Sequence, residues 1–148
     1  MFKTTTIVAV ISVLLTFPMA AYADAKSEIA TAAQHAGLAA AAGTLAQTHM
    51  HLHHAMNCLV APKDADFDKT NTNPCAQQGN GAFPDESDPD IKAKLQNAMS
   101  AAADGIASND EATAKKNAAT VQTMLDAIKE RRQGRPRRAH GREAAAVQ

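Results

Sequence analysis

Residues 35–60 read HAGLAAAAGTLAQTHMHLHHAMNCLV, and the period of the apolar positions decides the fold class. Leu38, Leu45, Leu52 and Leu59 recur every seven residues, and His35, Ala42, His49 and Met56 do the same three positions earlier. Two such series are the a and d positions of a heptad. They predict a helix from about residue 26 to residue 60, packed along its length and ended by Pro62, because the residue before a proline avoids the helical region. A bend near Gly37 or Gly43 would divide it and add a fourth helix.

Downstream, the hydrophobic period disappears between residues 61 and 90, where Pro, Gly, Asn and Asp dominate. A connection this long is commonly functional or tied down. Cys58 and Cys75 are the chain's two cysteines and are expected to form a disulfide that pins the first half of this loop. Phe67 and Phe83 read as anchors that tuck it onto the bundle. Asp88 followed by Pro89 marks the next helix start, with Pro at the first helical position. Ile91, Leu95, Ala98, Met99, Ala102 and Ile106 form the buried stripe of that helix. Ser108 and Glu111 have capping-box spacing and predict a further helix with Ala114, Ala118, Val121, Leu125 and Ile128 inward. The expected fold is all-α, an antiparallel three- to four-helix bundle with a long first helix and a disulfide-pinned loop.

The flanks divide the chain into a leader (1–23), a bundle domain (24–131, loop 61–90) and a basic tail (132–148). The leader has Lys3, an apolar run from Ile7 to Phe17, and Ala21-Tyr22-Ala23 before Asp24, which is the pattern of a secretory signal peptide. That run is too short to span a bilayer comfortably, and no later segment is apolar enough to do so. The protein is therefore expected in the periplasm or secreted. Arg135, Arg137, Arg138 and Arg142 lie among Gly and Pro and read as a solvated tail. Phe2, Phe17 and Tyr22 leave with the leader, so Phe67 and Phe83 are the remaining aromatic residues. That poverty excludes the stacking surfaces of single-stranded nucleic-acid binders and disfavours a sheet.

Four of the six histidines fall within THMHLHHAMNC at residues 48–58. In the heptad register His49 and Met56 face the core and His53 lies at its edge, while Met50, His51 and His54 point outward. His49 and His53 are four apart on one face, a spacing that can hold one ion. Met50 and His54 form another such pair. A straight helix cannot bring all four imidazoles to one ion, and ~21 Å of helix would separate His35 from His49. His35 would then mark a second site or face a polar partner on the next helix. Met56, Met99, Met124 or the acidic loop would complete the shell. A mixed His/Met set favours copper over zinc, since thioether is a soft ligand. Two further patterns are weaker. Asp64-x-Asp66-x-Asp68 resembles the start of a calcium loop but lacks its glycine and final glutamate. A non-covalent haem between His49 and Met99 or Met124 would suit a bundle. No nucleophile stands at a catalytic spacing from a histidine, so binding is expected rather than catalysis.

The run HMHLHHAMNCLVAP, with Phe67, NPC at 73–75 and GNGAFPD at 79–85, resembles a group of small exported bacterial helical proteins without an assigned activity. The likeness covers about residues 28–86 and implies no catalytic residues. More distantly, the Ala-rich helix with periodic histidines is similar to small periplasmic metal-binding helical-bundle proteins. Those carry many more histidines, often as His-His pairs in every repeat, whereas here only His53-His54 is such a pair. The resemblance therefore implies one or two sites, not high-capacity storage. The expected partners are a metal ion and a periplasmic protein. The competing reading is a structural or interaction protein that recognises its partner through the pinned loop.

Overall fold

The computed structural model describes residues 25–134. Its helices are α1 (Ala25–Ala40), α2 (Leu45–Leu59), α3 (Ala82–Asp85), α4 (Pro89–Ala107) and α5 (Glu111–Arg132), with no strand among the described residues. The leader read at 1–23 and the tail beyond residue 134 lie outside the described residues. Packing of α1 on α2 and α5, and of α4 on α2 and α5, closes a four-helix bundle, and the small α3 seals one end. Short turns between α1 and α2, and between α4 and α5, make those pairs antiparallel hairpins. Among the described residues no helix is long and apolar enough to cross a membrane.

The first helix is not one long rod. The chain turns back at residues 41–44, close to Gly43, giving helices of 16 and 15 residues. Thr44 caps α2, its hydroxyl accepting from the Gln47 N–H at 3.2 Å, while Gln47 Oε1 accepts from the Gly43 N–H at 3.2 Å. This is a capping-box arrangement shifted by one residue, and it outcompetes continuation of the heptad. The leucine series therefore splits: Leu52 and Leu59 are fully buried, but Leu38 is 44% exposed. What α1 buries instead is mostly alanine, namely Ala25, Ala32, Ala33, Ala36 and Ala39, together with Ile29 and Glu28. Small side chains let the neighbouring helices approach α1 closely.

The other helices follow their stripes. Asp88 caps α4 by accepting from the Asp90 and Ile91 N–H groups, and Pro89 opens the helix. The expected inward residues of α4 and α5 are buried, with Ile106 partly so. The cap of α5 is Asp110, which accepts from the Thr113 N–H at 2.8 Å, and not the expected Ser108. Ser108 instead ends α4 and bonds to Asp110. Helix α5 also reaches one residue into the stretch read as tail. Arg132 forms an ion pair with the buried Glu86, whose other oxygen accepts from the Ser87 and Asp88 N–H groups. A cation in the last helical turn also suits the helix dipole.

The long loop is tied down at several points. The disulfide between Cys58 and Cys75 joins the end of α2 to it, with Cα atoms 5.2 Å apart. Phe67 and Phe83 pack partly buried on the core, and the Lys92 ammonium lies 5.3 Å from the Phe83 ring centre. Asn57, 1% exposed, donates to the Asp68, Asn71 and Thr72 carbonyls and accepts from the Asp68 N–H. One buried amide thus satisfies a whole turn of irregular backbone, as buried backbone requires. Gly81 has φ +113°, and a Cβ there would lie 2.3 Å from the Val60 carbonyl oxygen. Its N–H donates to Glu28 Oε1 at 2.8 Å, mooring the loop to α1.

Candidate metal centre

The reversal at residues 41–44 places α1 alongside α2, and three imidazoles meet across the hairpin. Ring centres are 5.7 Å apart for His35 and His51, 5.1 Å for His35 and His54, and 5.6 Å for His51 and His54. One nitrogen from each lies within 4.8 Å of the other two, a set that can hold a metal ion. Tetrahedral zinc–imidazole geometry places ligand nitrogens about 3.4 Å apart. Small side-chain rotations therefore bring the three into a coordination shell. His51 and His54 reach α1 together because residues three apart share a helix face.

The surroundings of His35 and His54 keep those rings in their neutral, ligand-competent form. The Nδ1 atoms of His35, His51 and His54 are buried and have no hydrogen-bond partner. Buried polar nitrogens are nearly always satisfied, so these three leave unused acceptor or donor capacity within the trio. Burial, followed by the neighbouring His54 and His51, pushes the His35 imidazole below the ordinary histidine value. Burial, followed by His51 and His53, does the same to His54. Both effects favour the neutral ring, the form that binds metal.

This corrects three expectations. His35 is not isolated by a length of helix but shares a cluster with His51 and His54. Those two are half-buried against α1 and do not point into solvent. The cluster also holds three histidines where a single helix offered only pairs. The i,i+3 spacing of His51 and His54 was visible in the sequence, as was Thr44-x-x-Gln47, a capping signature that marks the reversal.

The other candidate ligands are placed elsewhere. His49 Nε2 lies 2.9 Å from the Ser108 carbonyl. A carbonyl only accepts, so this nitrogen is the donor in that contact. His53 Nδ1 pairs with Asp68 Oδ2 at 3.1 Å, facing the pinned loop. Met56 is buried in the core, as is Met99, with Met124 packed at its edge. Met50 is 38% exposed, as its outward register predicts.

Asp68 lies in the incipient calcium motif, yet the motif is not gathered around a cation. Asp64 accepts from the Asp66 N–H, and Asp68 accepts from Thr70 and Asn71. The Thr70 side chain, then that of Asn71, holds the Asp68 carboxyl well below the usual carboxylate range, with His53 contributing least. Among the described residues, the histidine trio is the one group of three or more His, Cys, Asp or Glu side chains placed to share an ion. Neither a family model, nor a curated protein, nor a solved structure matches this chain.

Proposed function

We propose that this is an exported transition-metal-binding protein, copper before zinc, that holds its ion on His35, His51 and His54. Its role is binding, buffering or delivery, not turnover. The observation that carries this reading is the convergence of three imidazoles, each offering a ring nitrogen within 4.8 Å of the other two. The disulfide and the signal-like leader support export, since such bonds persist in oxidising compartments.

The test is elemental analysis of untagged protein purified from the periplasm, followed by titration with copper and zinc. One equivalent of metal is expected, with a higher melting temperature, because a ligand specific to the folded state stabilises it by mass action. The double variant His35→Ala/His51→Ala should lose both effects. Trace metal only, with no thermal response to either ion, would sink the proposal. The alternative, an interaction protein that uses its loop, draws support from the loop's rigid tethering by Asn57 and the disulfide. It predicts that partner capture depends on the Cys58–Cys75 bridge and is indifferent to metal.

A further inference from the structure

Three imidazoles leave one position open in a four-coordinate shell. Several neighbours cannot fill it. Cys58 is in the disulfide, His53 is paired with Asp68, and Gln78 is held by Thr31. The group contains no Asp or Glu among the described residues, so no protein carboxylate completes the shell.

Met50 remains. It precedes His54 by four residues and adjoins His51, and side chains four apart on a helix have Cβ atoms about 5–6 Å from each other. Its unbranched thioether has three rotatable bonds, enough to swing toward the trio. At 38% exposed it is not needed to fill the core. The other exposed large hydrophobic among the described residues is Leu38, at 44%. It lies one turn beyond His35 on α1. Because His35 meets His51 and His54 across an antiparallel pair, Leu38 is level with residues 48–51. Helical spacing thus places both exposed apolar residues within about one turn of the trio.

Resting on the reading that the trio holds an ion, we infer that Met50 supplies the fourth ligand and that the centre selects copper(I) over zinc(II). Three imidazoles and a thioether form a neutral shell containing a soft donor, the set that suits copper(I). Burying a monovalent ion in a neutral shell also costs less than burying a divalent one, because the desolvation cost rises steeply with charge. Leu38 then forms the apolar side of the opening and limits access of water.

The experiment compares the untagged protein with Met50→Leu. Copper(I) is supplied anaerobically as its acetonitrile complex against a chromogenic chelator, and zinc(II) against a fluorescent one. Met50→Leu should lower copper(I) affinity by at least about ten-fold, the effect of losing even an outer-shell partner of a metal ligand. Zinc(II) affinity and metal-free stability should be unchanged. X-ray absorption at the copper edge should show a sulfur scatterer in the wild type that is lost in the variant. Unchanged copper(I) affinity, or a shell of nitrogen alone, overturns Met50 as ligand while leaving the trio intact. Failure of the wild type to bind either ion overturns the trio and this inference together.

Discussion

Replacing His35 with leucine should invert the protein's stability order depending on whether metal is present. A buried polar atom without a partner costs roughly 1–3 kcal/mol, and the trio contains three of them. The His35 ring is only half-buried, so the low end of that range applies. Leucine has a similar reach, removes one unpartnered nitrogen and is a better helix former. Without metal, His35→Leu should gain about 1 kcal/mol, a rise of about 4 °C in Tm for a domain of this size. With metal at a hundred times its Kd, the wild type should gain ~2.7 kcal/mol and the variant almost nothing. The wild type then melts several degrees higher, and the two curves exchange places. The assay is far-UV circular dichroism, since the described residues contain neither Trp nor Tyr. A variant less stable than wild type without metal would show that the ring is a packing element. Equal stabilisation of both proteins by metal would refute its role as a ligand.

Acidification should weaken the metal-free protein. His35 and His54 have folded values below the ordinary 6.5, so the unfolded chain binds more protons below that pH. Their contribution is full above about 6.5 and declines as the pH falls, and metal affinity should fall over the same range. Thermal melts from about pH 8 to 5 check this, and flat stability across that range would contradict the neutral-ring assignment. Asn57→Ala removes the partner of three carbonyls and one N–H, and should cost about 2–3 kcal/mol in urea unfolding. A cost of a few tenths would mean that water replaces the amide. Arg132→Met leaves the buried Glu86 with backbone partners alone. It should destabilise by about 2 kcal/mol, less than a fully buried pair because Arg132 is partly solvated. No change in the urea midpoint would show that α5 ends before that contact matters.

The inward residues of α4 and α5 were legible because a helix repeats every 3.6 residues and its stripe needs no knowledge of the partner. The disulfide was legible because two cysteines allow one pairing, and the Asp88-Pro89 start because a cap acts within its own turn. The heptad misled where its residues did not share one axis. Leu38 and Leu52 lie on different helices, so their common period says nothing about a common face. Asn57 carried no local signal, since its partners begin eleven residues away in a segment without periodicity.

The all-helical class, the faces of α4 and α5, the covalent clamp on the loop and the histidine-rich α2 can all be read along the chain. These depend on interactions within a turn or two of the chain, or on simple counting. Which imidazoles meet depends instead on how the helices pack against one another. The reversal at residues 41–44 and the close packing of an alanine stripe fix how far α1 slides along α2. That register, and not the spacing of histidines along one helix, brings His35 to His51 and His54.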